Sequence, residues 1–110
     1  MAAKFVLSKN HQGHFHFNLK AGNGETILTS ETYVAKPGAL NGIASTRVNA
    51  PLDERCERRT AADGSPYFIL KAANSETLGR SEMYSSPSAR ENGIASVKTN
   101  APNAAMKDLA

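Results

Sequence analysis

The chain has 110 residues, 40% of them hydrophobic and 21% charged, with a formal net charge of +3 and a pI near 9.2. Such a length and composition fit one compact domain with a single core and exclude wholesale disorder. The basic excess is mild and scattered, without the clustered lysines and arginines that usually track a phosphate backbone.

In chain order, residues 4–9 read as a short strand and 10–13 as a turn. Residues 14–21 read as a strand in which Phe15, Phe17 and Leu19 face a core while His14, His16, Asn18 and Lys20 face away. Ala21-Gly22-Asn23-Gly24 closes a hairpin onto a strand over 25–31, where a one-residue slip would exchange Ile27 and Leu28 between faces. A helix follows Tyr33, starting near Lys36-Pro37 and ending at Asn49, which suits the left-handed position before Pro51. Its apolar stripe is read as Leu40, Ile43, Thr46 and Ala50.

The second half repeats the first. A shift of 51 positions lays Phe17-x-Leu19-Lys20-Ala21-x-Asn23-x-Glu25-Thr26 on Phe68-x-Leu70-Lys71-Ala72-x-Asn74-x-Glu76-Thr77 without a gap. The same shift lays Ser30-Glu31-x-Tyr33 on Ser81-Glu82-x-Tyr84, and Asn41-Gly-Ile-Ala-Ser45 on Asn92-Gly-Ile-Ala-Ser96. Roughly half the positions between Gly13 and Pro51 are identical, which marks a tandem duplication of one supersecondary unit. In the second copy Ser86 is the expected N-cap before Pro87, Asn74 is expected to carry the turn that lost both glycines, and Ile94, Val97 and Ala101 form the stripe.

Residues 53–60 align both with the end of the second unit and with the start of the first, so they are expected to serve as a strand shared between repeats. Repeat one then covers about residues 4–58 and repeat two about 55–109, within a single domain over 1–110. The expected fold is α+β: two tandem β-β-β-α-β repeats sharing a central strand, merged into one antiparallel sheet with two helices packed on one face. The two chain ends, near 4–9 and 104–109, are expected to pair with each other.

Phe-x-Leu-Lys-Ala-x-Asn-x-Glu, then Ser-Glu-x-Tyr, then Asn-Gly-Ile-x-Ser-Val-Lys-x-Asn-Ala-Pro resembles the duplicated branch of the YegP-like family of small uncharacterised bacterial proteins. The resemblance covers nearly the whole chain. It implies two β-β-β-α-β repeats in one sheet with exchanged C-terminal strands, and it implies no reaction, cofactor, ligand or catalytic residue. This chain departs from the pattern at Ser75, at Lys36-Pro37-Gly38 and in the histidine-bearing strand.

The sequence contains no G-x-G-x-x-G, P-loop, H-E-x-x-H or C-x-x-C motif. His11, His14 and His16 lack an obvious carboxylate to complete a metal shell and are replaced by other residues in the second copy, so they read as surface histidines, with no metal and no cofactor expected. The lone Cys56 excludes an internal disulfide, reads as a small core residue and fits a reducing compartment. The start of the chain lacks a signal-peptide run, and no segment approaches the ~18 apolar residues of a membrane span. A cytoplasmic location without a membrane partner is therefore expected.

Candidate binding residues are the duplicated polar ones: Asn41, Ser45 and Arg47 on the first helix, Asn92, Ser96 and Lys98 on the second, and Lys20 and Lys71 beside the two hairpins. Structural duties compete for each: helix ends for Arg47 and Lys98, and cross-turn pairing of Lys20 with Glu25 and Lys71 with Glu76. Tyr33 and Tyr84 read as core residues, and the repeated Gly42 and Gly93 as points of close backbone approach. Arg55, Glu57 and Arg59 read as a solvated mixed-charge ladder on one strand face. The leading functional expectation is a non-enzymatic binding or protein-interaction module acting through its uncovered sheet face or edges, on a protein or small ligand. The alternative is weak single-stranded nucleic-acid binding through a face carrying His14, His16, Lys20, Tyr67 and Lys71. An enzyme built on Glu31 or Glu82 ranks last, for want of a nucleophile and base pair.

Overall fold

The computed structural model describes residues 2–110. Nine elements follow one another: β1 (Lys4–Lys9), β2 (Phe15–Lys20), β3 (Thr26–Ser30), α1 (Lys36–Asn49), β4 (Cys56–Thr60), β5 (Pro66–Lys71), β6 (Thr77–Arg80), α2 (Pro87–Asn100) and β7 (Ala105–Asp108). Short 3-10 turns at Asp53–Arg55 and Ala101–Asn103 lead out of the two helices. The seven strands form one sheet in the order β4-β5-β6-β3-β2-β1-β7, so the repeats meet at β3 and β6. The tandem-repeat α+β reading therefore holds.

Two parts of the expected topology change. The sheet is mixed rather than wholly antiparallel, because β7 runs parallel to β1 with Phe5 opposite Met106 and Val6 opposite Lys107. The chain ends do pair, and the amide of Leu109 donates to the carbonyl of Leu7 at 2.8 Å. The strand expected to be shared and central lies at the sheet's edge, where Cys56–Thr60 pairs with β5 alone. Only one strand position follows each helix: the first is taken up as the opening strand of repeat two, and the second crosses over to repeat one.

Alternation along β1, β2 and β5 sends Phe5, Leu7, Phe17, Leu19, Phe68 and Leu70 under the helices, and all six are fully buried. The register of Ile27 and Leu28 is resolved by a bulge: Leu19 faces Leu28 but Lys20 faces Thr26, so Ile27 is the extra residue. Both Ile27 and Leu28 join the core cluster. The same irregularity follows Leu70 and carries Leu78 inward. At the joint between repeats, Leu28 and its counterpart Gly79 differ for a steric reason. A Cβ on Gly79 would lie 2.8 Å from Leu28 Cγ and 2.9 Å from the carbonyl oxygen of Thr29, so the pseudo-two-fold joint admits one large side chain.

The helices bury Ala39, Gly42, Ile43, Thr46 and Asn49 on α1, and Gly93, Ile94 and Val97 on α2. Leu40 leaves the expected stripe and is exposed; the helix is rotated so that the small residues Ala39 and Gly42 meet the sheet side instead. Ser86 caps α2 by accepting from the Ala89 amide at 3.1 Å, whereas Ala35 precedes α1 without a side-chain cap. Neither helix ends in a left-handed asparagine. Ala50 and Ala101 stay right-handed, and Asn49 and Asn100 turn back to donate to the carbonyls of Ser45 and Ser96, each at 2.9 Å. In the second hairpin, the positive φ falls on Ser75 (72°), where the first copy has Gly24, while Asn74 accepts from the Glu76 amide instead.

Candidate functional site

The Ser-Glu-x-Tyr motif explains how each repeat passes from sheet to helix. Ser30 Oγ accepts from the Phe17 amide at 2.8 Å and donates to the Glu31 carbonyl at 2.7 Å; Ser81 does the same for Phe68 and Glu82 at 2.9 and 2.8 Å. A serine side chain thereby replaces a ladder partner and lets the strand end without orphaned backbone groups. The next two residues bring Tyr33 and Tyr84 over Phe17 and Phe68, with ring centroids 6.3 and 6.4 Å apart and planes within 12° and 6°. The tyrosine hydroxyls then reach Gly42 and Gly93. A Cβ on Gly42 would sit 2.5 Å from Tyr33 Oη, and one on Gly93 would collide with Tyr84 Oη. The close approach expected at these glycines is thus made by a tyrosine ring, not by another backbone.

Between α2 and the first hairpin lies a cleft of about 650 Å³, lined by Ala21, Asn23, Glu25, Thr26, Ile27, Glu82, Tyr84, Ala89, Asn92, Gly93 and Ser96. It joins the hairpin of repeat one to the helix of repeat two. Burial raises the pKa of Tyr84, and the Glu82 and Glu25 carboxylates raise it further, so the phenol stays protonated. Tyr33 is raised by burial and then by Glu31 and Glu76, which shows the equivalent groups gathered around α1. Of the predicted residues, Asn92 and Ser96 line the cleft, and Asn41 and Ser45 occupy the equivalent positions in repeat one. Ser45 and Ser96 also accept from Asn49 and Asn100 at 3.0 and 3.1 Å.

Arg47 and Lys98 serve the fold by a crossed arrangement. Arg47 lies over the Phe5 ring at 4.8 Å and donates to the carbonyl of Ala104 at 2.5 Å, tying α1 to the segment that follows α2. Lys98 reaches Asp53 at 2.7 Å, tying α2 to the segment that follows α1. Asp53 and Glu91 both flank Arg58, at 3.2 and 2.8 Å. Lys98 and then Arg58 hold the Asp53 carboxyl below its usual range, and Arg58 does so for Glu91. Cys56 is buried beside this network, and burial pushes its thiol up.

The helix-free face collects charge that lies far apart in the sequence. Register places Lys4 opposite Lys20, Val6 opposite both Asn18 and Lys107, Thr29 opposite Arg80, Arg80 opposite Ile69, and Arg59 opposite Tyr67. Partners across a ladder share a face, so Lys4, Lys20, Lys107, Arg80, Lys71 and Arg59 stand together with Glu57, while Glu31 and Glu82 border Arg80 at the ends of β3 and β6. Glu57 bonds Arg59 and Lys71, at 2.5 and 3.2 Å, and both cations hold its pKa down. The expected pairing of Lys71 with Glu76 is thereby replaced, because the hairpin glutamate lies on the helix side. Arg55 leaves the expected ladder and donates from the 3-10 turn to Asn49 Oδ1 at 3.0 Å. Arg80 lies over the Tyr67 ring at 5.9 Å. His16 shares this face opposite Ser8, while His11 sits in the exposed turn. Sequence reasoning found Lys20 and Lys71 and set Arg59 with Glu57 on a solvated strand face, but missed Lys4, Arg80 and Lys107, whose common face exists only once the strand order is known.

These features define a two-repeat α+β domain with a basic open face and a cleft where the repeats exchange hairpin and helix. The chain belongs to the family described as "Domain of unknown function (DUF1508)", which matches twice, over residues 10–57 and 61–108. It is 55% identical over 108 residues to UPF0339 protein YegP of Escherichia coli strain K12, covering 98% of both chains. A UPF0339 protein of Bordetella pertussis is 57% identical over 108 residues, covering 98% of this chain and 96% of the relative. The fold is similar to the solution NMR structure of a UPF0339 protein from Shewanella oneidensis, with a TM-score of 0.93 at 50% identity over 99% of this chain and 92% of that one. It is likewise similar to the solution NMR structure of yegP from E. coli, described as a protein of unknown function, with a TM-score of 0.94 at 54% identity over 99% and 94% of the two chains. Among the described residues, no helix is long and apolar enough to cross a membrane.

Proposed function

We propose that the protein is a non-enzymatic binding module whose working surface is the helix-free sheet face, and that its partner there is single-stranded nucleic acid. The observation that carries this reading is the concentration of six lysines and arginines on one open face, where Glu57 pairs with two of them and Glu31 and Glu82 border only Arg80 at its margin. Lys4 directly opposite Lys20 is an arrangement that costs stability by itself, and a polyanion lying across the two strands relieves it. Tyr67, half-buried beside Arg80, offers a ring on which one base can stack. The cytoplasm suits this role, since the lone Cys56 stays reduced there.

Titration of labelled single-stranded RNA and DNA, followed by anisotropy at rising salt, tests the reading. Engagement of about four phosphates gives a log–log salt slope near −3 for single strands. The variant Lys4→Glu/Lys20→Glu/Arg80→Glu, checked for an unchanged fold, should lose this binding. Absence of binding at low salt, or equal binding by the variant, refutes the proposal and returns the face to contact with an acidic protein.

A further inference from the structure

We propose that the outer edge of β4 pairs with the same edge of a second copy of this chain, antiparallel and centred on Arg58, in a weak isologous dimer that joins the two sheets into one. The inference concerns the edge of the sheet and stands independently of the reading given for its basic face. Three observations carry it.

First, the two ends of the sheet differ although the repeats that build them are alike. The 51-residue shift lays β1 on β4 and Leu7 on Arg58. The outer edge of β1 is covered by β7, and the Leu7 carbonyl accepts from the Leu109 amide at 2.8 Å. The residues that align with β7 are 54–57, and they are spent on the 3-10 turn and on the start of β4 itself. Among the described residues no strand is left to lie beside β4, which pairs with β5 alone.

Second, the backbone of β4 turns donors and acceptors outward along that edge. On β5 the carbonyls of Pro66 and Phe68 accept from the Tyr84 and Ser81 amides, on the side away from β4. Alternation along an antiparallel ladder therefore bonds Tyr67 and Ile69 to Arg59 and Glu57, and points the backbone groups of Cys56, Arg58 and Thr60 outward. The Cys56 amide is satisfied by the Asp53 carbonyl, which leaves the amides of Arg58 and Thr60 and the carbonyls of all three. With two copies centred on Arg58, the Arg58 amides and carbonyls bond one another, and each Thr60 amide reaches the Cys56 carbonyl of the other copy. Both outward amides are then satisfied.

Third, charge selects this register over its neighbours. Glu57 and Arg59 lie together on the open face, and centring on Arg58 sets Glu57 of each copy directly opposite Arg59 of the other. Moving the centre by one residue opposes Glu57 to Glu57 or Arg59 to Arg59, and like charges directly across a ladder are destabilising. On the helix side Arg58 meets Arg58, but each guanidinium is already held within its own chain by Glu91 at 2.8 Å and Asp53 at 3.2 Å. Charge on an edge strand ordinarily keeps copies apart; here an acid and a base two residues apart oppose the neighbouring registers and favour the one about Arg58. The contact uses the five residues Cys56–Thr60 of each chain, against the roughly 20–30 residues a side of a stable interface, so the dimer is weak and forms at high concentration.

Sedimentation equilibrium of the full chain over rising concentration at low salt tests the proposal, with circular dichroism to confirm that each variant is folded. The natural chain should show a reversible monomer–dimer equilibrium. Glu57→Arg leaves two bases on that strand face and Arg59→Glu leaves two acids, so each alone should dimerise about tenfold more weakly or worse. An equimolar mixture of the two variants should regain the dimer, because every base then faces an acid. Thr60→Pro removes an outward amide that bonds nothing within the chain and should abolish the dimer with the fold intact. The basic-face triple variant should still dimerise, so the edge and the nucleic-acid reading succeed or fail separately. A chain that stays monomeric at every concentration, assembly beyond the dimer, undiminished dimerisation of Thr60→Pro, or a mixture no better than its two components overturns the proposal.

Discussion

Replacing Gly93 by alanine sets two effects against each other. Alanine in a helix interior is favoured over glycine by about 1 kcal/mol. Against this, a Cβ at residue 93 would collide with Tyr84 Oη, lie 2.5 Å from Cζ and 3.1 Å from Cε2 of the same ring. The ring cannot simply tilt away, because its other face is stacked on the fully buried Phe68. Forcing a methyl into such packing costs about 1–3 kcal/mol. Gly93→Ala is therefore expected to destabilise by about 1 kcal/mol net, near 5 °C in Tm for a domain of this size. The decisive measurement is the same substitution in a Tyr84→Ala background, by denaturant unfolding. All three nearest obstacles belong to Tyr84, so there Gly93→Ala should stabilise by about 0.5–1 kcal/mol, reversing its sign. An equal effect of Gly93→Ala with and without the tyrosine refutes the tyrosine-glycine fit as the reason this glycine is retained.

Other outcomes follow from the same geometry. Gly79→Ala should lower stability by about 2 kcal/mol in chemical denaturation, because the added Cβ meets the Thr29 carbonyl as well as Leu28 and cannot be accommodated by a rotamer change alone. Ser75→Gly should raise Tm, since it removes a side chain from a positive φ that costs about 1 kcal/mol for a residue other than glycine. Arg47→Ala should cost about 2 kcal/mol by loss of a charged hydrogen bond, and hydrogen exchange should show β7 and β1 opening first. Asp53 and Glu91 have folded pKa values below their ordinary ones, so their contribution is present above the usual carboxylate range and is lost as pH falls through the folded values. An acid titration of Tm below pH 4.5 should accordingly be flatter for Asp53→Asn/Glu91→Gln than for the natural chain.

The sequence by itself determined the repeat, the strand alternation that buries Phe17 and Phe68, the Ser86 cap and the pairing of the chain ends, because each is written in local periodicity or in the 51-residue self-match. It also marked Asn41, Asn92, Ser45 and Ser96 as repeated polar groups, half of which line the cleft. Tertiary structure decided what pattern leaves free. The bulge after Leu19 turned Ile27 and Leu28 to the same side, which a strict period of two does not allow. Strand order gathered Lys4, Arg80 and Lys107 onto one face and put Glu57 rather than Glu76 beside Lys71. The exchange of hairpin and helix between repeats placed Glu25 by Tyr84, an encounter between residues far apart in the chain. Local propensity carries no information on which distant segments will share a face, so charge that is scattered along this chain becomes a patch and a cleft only when the two repeats close their common sheet.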